Sequence, residues 1–203
     1  MNLQQIFDNT DFVHASGTKE ELQVAEYLKM QCEKAGVTAR LEGFRVAMGE
    51  IKDAHLYADG EELTCKAFTC CGSGNVEGEL YYMPGTDAVS IAGAKDKIVL
   101  MDTQGIGFFT YQDLMKAGAK AILFQYGNMY YPQTDIDQRD LRAAVVGEER
   151  KVFCAMLHSS EAVKLVKNGA KQIKLEIKQK EYDGESHNVI AELPGKRDEW
   201  IVL

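Results

Sequence analysis

The sequence predicts a mixed α/β (α+β) fold, and three observations carry that prediction. A helix–glycine–strand unit occurs three times, at Lys34-Ala-Gly-Val-Thr-Ala-Arg40, Lys116-Ala-Gly-Ala-Lys-Ala-Ile122 and Lys167-Asn-Gly-Ala-Lys-Gln-Ile173. The run Ile98-Val-Leu-Met101 is apolar without interruption, as in a strand buried on both faces. Residues 172–178 alternate Ile173, Leu175 and Ile177 against Lys174, Glu176 and Lys178, the pattern of a half-buried strand. The spacing of the three units is uneven, so they are a recurrent local solution and not a sequence repeat.

Taken in order, the first helix is announced by Thr18 with Glu21 three residues later, a capping box in which each side chain satisfies the other's open turn. Leu22, Ala25, Leu28, Cys32 and Ala35 then share one face, and Gly36 stops the helix by adopting the left-handed conformation. A hairpin follows, with strands at residues 54–57 and 62–68 around the turn dipeptide Asp59-Gly60. Residues 75–83 alternate as a strand, and residues 97–101 form the buried one. Thr110 opens a short helix with Leu114 and Ala117 inward and Gly118 as its stop. Residues 121–125 are the next strand. Residues 126–149, polar and rich in Asp and Arg, read as a long surface excursion. A strand at 151–157 leads to a helix opened by Ser160, with Ala162, Val163 and Val166 apolar and Gly169 as its stop. Strands at 172–178, 188–193 and 200–203 close the chain. Trp200-Ile-Val-Leu203 reads as a buried strand ending at the last residue, and implies that the polypeptide was longer.

Composition excludes several functions. At about 150 residues per domain, 203 residues allow one large domain or two small ones. The 45% hydrophobic content and three prolines exclude a disordered chain. The net charge of −8 argues against nucleic-acid binding, which needs a basic face. No apolar run approaches the roughly 18 residues of a membrane span. Met1 to Asp11 carries polar residues where a signal peptide would place its apolar stretch, so the chain reads as cytoplasmic as written. A secreted protein whose leader has been removed reads the same way. The cysteines Cys32, Cys65, Cys70, Cys71 and Cys154 are odd in number and irregular in spacing, which fits a reducing compartment and not a disulfide framework.

The inventory of reactive groups is thin. His14, His55, His158 and His187 are far apart, and no pair has the spacing that puts two imidazoles on one helix face. Cys65, Cys70 and Cys71 lack the paired knuckles of a zinc site and read as small apolar residues at strands and turns. Ser73 between two glycines lacks the spacing of a nucleophile elbow and reads as a turn. Cys71 would need a histidine that nothing in the sequence places beside it. Gly105-Ile-Gly107 precedes a helix whose N-terminus suits an anion, but is too short for a dinucleotide fingerprint. Tyr126, Tyr130 and Tyr131 around Asn128 mark either a binding surface or a loop packed on its own domain. His187 between Ser186 and Asn188 reads as a capping or turn residue. No catalytic, cofactor-binding or metal-binding residue is assigned.

Two segments resemble the zinc-dependent aminopeptidase family that includes glutamate carboxypeptidase and the transferrin receptor. One is Ala15-Ser-Gly-Thr-Lys-Glu-Glu-Leu-Gln-Val-Ala-Glu-Tyr-Leu28, running on to Ala35-Gly-Val37, which is similar to the family's opening helix. The other is Ser186-His-Asn-Val-Ile-Ala-Glu-Leu-Pro-Gly195 followed by Asp198-Glu-Trp-Ile-Val-Leu203, which resembles its Asn-Val-Ile-Ala…Pro-Gly hairpin and the next strand. The region between resembles the protease-associated (PA) domain that this family often carries as an insertion. There, Gln104-Gly-Ile-Gly107 replaces the Arg-Gly pair and cysteine that many such domains show.

The resemblance implies a PA domain of strands flanked by short helices, residues 51–183, inserted into a partial α/β aminopeptidase domain made of residues 1–50 and 184–203. In the family, the strand matching residues 200–203 leads into a His-x-Asp segment that bears the first zinc ligands. The ligands and the catalytic Glu would therefore lie past Leu203. The implied full-length protein is a two-zinc metallo-aminopeptidase removing N-terminal residues from peptides, and this chain alone is expected to be inactive. The alternatives are a stand-alone PA-type interaction module, a pseudoenzyme, or an unrelated small hydrolase using Ser73 or Cys71. The incomplete host sheet is expected to drive self-association.

Overall fold

The computed structural model describes residues 3–103, 105–128, 130, 135–141 and 151–195. They fall into two units, Met1–Met48 with Asp183–Leu203, and Gly49–Tyr182. The division passes through two strands of 21 residues, β1 (Thr38–Ala58) and β8 (Gln172–Glu192). Among the described residues no helix is long and apolar enough to cross a membrane.

In the first unit, α1 (Leu3–Thr10) precedes α2 (Lys19–Lys34). Nothing in the residue pattern announces α1, because this short helix buries none of its residues. Thr18 caps α2 by accepting the Glu21 N–H at 3.3 Å. The reciprocal half of the expected capping box is not made. The Thr18 N–H is satisfied by the Ala15 carbonyl, which frees the Glu21 carboxylate to accept the His187 N–H at 3.0 Å. Val24 and Ala25 are buried, while Leu22, Leu28 and Cys32 are half-buried and Ala35 is exposed. Gly184 meets the Met48 side chain closely, tying the outer part of β8 to that of β1.

The second unit is built on strand order β2-β1-β8-β4-β5-β6-β7-β3. Here β2 is Glu61–Leu63, β3 is Cys65–Ala67, β4 is Gly74–Met83, β5 is Lys97–Met101, β6 is Ala121–Tyr126 and β7 is Phe153–His158. Strands β4 to β7 run parallel, β8 lies antiparallel to β4, and β3 antiparallel to β7. The two edge strands, β2 and β3, are separated by Thr64 alone. The sheet must therefore curl until its edges nearly meet, a near-barrel. The fold is mixed α+β, mostly strands with a few short helices, as the sequence predicts.

Connections between parallel strands carry α3 (Ala88–Ala92), capped by Asp87, and α4 (Phe108–Ala117). A last helix, α5 (Ser159–Lys167), follows β7. The α3 helix escapes the sequence pattern because five residues are too few to show a period. The α4 helix starts at Phe108 and not at Thr110, with Gly107 as an N-cap that offers no side chain. In α5 the buried residues are Ser159, Ala162 and Leu165, and Val166 is exposed. Each expected glycine stop is left-handed: Gly36 at φ 81°, Gly118 at 89° and Gly169 at 64°. The hairpin turn puts Asp59 at φ 47° and Gly60 at 92°, the pair of positive values a two-residue turn of this hand requires.

The core of this unit holds Leu56, Ile98, Leu100, Tyr111, Leu114, Phe124, Met156 and Leu175, all essentially inaccessible. Each such side chain contributes about 1.5–3 kcal/mol on burial. The Tyr111 hydroxyl is satisfied by the Val152 N–H at 2.8 Å.

Three expectations need correction. Residues 62–68 form two strands, because Leu63 pairs with Leu56 while Cys65 pairs with Leu157 on the opposite edge. Residues 172–178 and 188–192 belong to one strand, which ends before Leu193. Their connection, residues 178–185, is polar and mostly exposed, so alternation fades without the strand ending. The excursion after Tyr126 is partly interior: Ile136 and Leu141 are buried, and Thr69 pairs with Asp140. Tyr131, Arg142 and the strand expected at Trp200–Leu203 lie outside the described residues.

Candidate functional site

The second unit carries a pocket of about 470 Å³ at the carboxyl ends of β4, β5 and β6, where ligands gather in parallel sheets. Register and pleat decide its floor. Tyr82 pairs with Leu100 and Leu100 with Leu123, so these three and Gln125 face the same way. The opposite face belongs to Tyr81, whose hydroxyl donates to the Ser90 carbonyl of α3 at 2.9 Å. The α5 helix packs on β6 and β7, while Tyr82 near the end of β4 stays 45% exposed. That step between a covered and an uncovered strip is the pocket. It is lined by Leu100, Ala162, Val163 and Val166, with Tyr82 and Tyr130 at the margin.

Its polar groups come from strand and helix ends. Gln125 Nε2 donates to Asp102 Oδ1. Ser159 closes the inner wall, its hydroxyl 3.0 Å from the Tyr126 and Gly127 carbonyls. Asn128 Oδ1 accepts the Tyr130 N–H at 2.9 Å. Lys167 stands on the last turn of α5. Tyr126 itself is not a pocket residue. Its phenol is pushed up by a hydrogen bond to Asp137 and by desolvation.

Sequence reasoning missed Asp102, Gln125 and Lys167. The available signal was the polar residue directly after a continuous apolar run, which marks the carboxyl end of a buried parallel strand.

The residues that sequence reasoning did weigh are scattered. Cys71 is buried, its thiol pushed up to about 11 by desolvation, with Gln179 Nε2 at 3.6 Å and the Cys154 carbonyl at 3.7 Å. No histidine contacts it among the described residues. Cys65 is likewise pushed to about 11 by burial, and Cys154 well above its ordinary value. Ser73 Oγ donates to the Gln179 carbonyl and accepts the Gln179 N–H, both at 3.0 Å, so it clasps a turn onto β8. Among the described residues, neither Cys71 nor Ser73 is paired with the histidine that the small-hydrolase alternative needs.

His187 lies in the first unit, its Nδ1 3.3 Å from Glu21 Oε2, next to a Ser16–Ser186 hydroxyl pair at 2.7 Å. Its role is to join β8 to the start of α2. His158, which sequence reasoning left unassigned, caps α5 by accepting the Ser160 N–H on Nδ1 at 3.2 Å. His55 stands between Asp53 and Glu62, but they engage opposite ring nitrogens and share no point where an ion would sit. Among the described residues, no three of His, Cys, Asp and Glu are grouped to hold a metal.

No protein-family model matches the chain, and no curated protein matches it by sequence. Solved structures do. The chain is similar to an aminopeptidase from Aneurinibacillus sp. strain AM-1, 23% identical with TM-score 0.67, over 96% of this chain and 48% of that one. It is similar to BSAP, a zinc aminopeptidase from Bacillus subtilis, 16% identical with TM-score 0.65, over 93% and 45%. A peptidase M28 precursor from Shewanella amazonensis SB2B gives 14% and 0.57, over 93% and 48%. The chain thus spans about half the length of each of these solved peptidases, and with that half it shares a fold.

Proposed function

We propose that this chain is the N-terminal part of a zinc metallo-aminopeptidase that removes N-terminal residues from peptides. The supporting observation is the coverage: 96% of this chain follows one half of a solved aminopeptidase. In this reading Gly49–Tyr182 is a PA-type domain that shapes substrate access or assembly, and the first unit is the start of the catalytic domain.

The described residues do not fit a zinc centre. Glu21 and His187 are only two groups, and the three around His55 diverge. The chemistry two zinc ions supply, polarising a carbonyl and activating water, is assigned to no residue of this chain. The chain alone is expected to cleave nothing.

The test is hydrolysis of amino-acid anilides by this chain and by a version extended past Leu203. The proposal expects activity in the longer protein only, abolished by a chelator. A longer protein that cleaves nothing would leave the pseudoenzyme, or a PA-type interaction module.

A further inference from the structure

We propose that the pocket at the carboxyl ends of β4, β5 and β6 binds an apolar α-amino acid in its zwitterionic form. Its volume of about 470 Å³ lies in the range of small-molecule sites, roughly 300–1,000 Å³. The accessible lining is chiefly apolar, from Tyr82, Val163 and Val166. Two lining residues carry charge, and they are opposite in sign: Asp102 and Lys167.

Each charge is suited to a ligand. Asp102 Oδ1 is held by the Gln125 amide, which orients the carboxylate, while Oδ2 has no partner among the described residues. An ammonium group completes that site. Lys167 forms no ion pair among the described residues, and a carboxylate would neutralise it. The side chain of the amino acid would rest on Tyr82 and Val166, each 45% exposed. A purely apolar ligand leaves both charges unused, and an anion alone is repelled by Asp102. An α-amino acid with an apolar branch offers a group to each of them.

This inference rests on the pocket alone and stands or falls apart from the peptidase reading. The test is calorimetric titration of the 203-residue chain with L-leucine, leucinamide and N-acetyl-leucine. Saturable one-to-one binding of leucine is expected, with Kd of about 1 mM or below. Loss of the ammonium group in N-acetyl-leucine, or Asp102→Asn, weakens binding at least about tenfold, and the two losses together are no worse than one. Leucinamide and Lys167→Gln behave in the same paired way for the carboxylate. Asp102 and Lys167 are exposed, so circular dichroism of both variants is expected to match the parent. Absence of saturable heat up to about 10 mM leucine overturns the proposal. So does binding that is indifferent to both substitutions, or binding of leucinamide as tight as that of leucine.

Discussion

His55 illustrates how much a single exposed residue reports. Glu62 hydrogen-bonds one ring nitrogen and Asp53 lies 3.0 Å from the other, and these contacts, Glu62 first, raise the imidazole above its ordinary value. A raised folded value means the contribution is fully present below the unfolded value, about 6.5, and is lost as pH rises through the folded one. Denaturation midpoints measured from pH 5.5 to 9 should fall across that window, and His55→Gln should remove that part of the fall. An unchanged profile in His55→Gln would show that the pairing contributes nothing. The thiols report burial in the same way. With Cys65 and Cys71 near 11, thiolate at pH 7.5 is about two orders of magnitude scarcer than in a free cysteine. Iodoacetamide should label these residues correspondingly slowly in the native chain and readily after unfolding, as read by mass spectrometry of peptides. The sequence foretold these cysteines as small apolar residues. It was silent on Asp102 and Lys167, because a pocket is made by register and by the helix that stops short, neither of which is written locally.

Elements were legible where one local rule sufficed. Asp59-Gly60 and the three glycine stops follow from φ angles that other residues disfavour. Replacing Gly118 tests this cleanly: at φ 89° an added Cβ meets only Lys95 Cγ at 3.8 Å, so the cost is backbone strain alone. Gly118→Ala should destabilise by about 1–2 kcal/mol in urea denaturation. Thr18→Ala should cost about 1 kcal/mol through the lost cap on α2. Leu123→Ala, in the centre of β6, should cost about 2–5 kcal/mol, since parallel neighbours on both sides leave no room to collapse. Elements were missed where local rules are weak. The α1 and α3 helices are too short or too exposed to show a period, and β8 runs on through a polar stretch that backbone pairing sustains. The capping box misled for a tertiary reason: Glu21 found a better partner in His187, 166 residues away.

On the scale of the whole molecule the two units differ in kind. Gly49–Tyr182 owns the core cluster. The first unit buries few apolar side chains and leaves Leu3, Phe7, Val13 and Leu193 mostly exposed. We propose that it associates with itself when isolated, and light scattering at rising concentration should show a mass above the monomer. A monomer at high concentration would contradict this. The proposed function rests on resemblance in two short segments, and the likeness of the fold to half of an aminopeptidase supports the same reading without supplying its chemistry. The direct measurement is zinc content. A protein extended past Leu203, purified without added metal and assayed by elemental analysis, should carry about two zinc ions per chain, and the 203-residue chain none at stoichiometric level. An extended protein with no bound zinc would contradict the account.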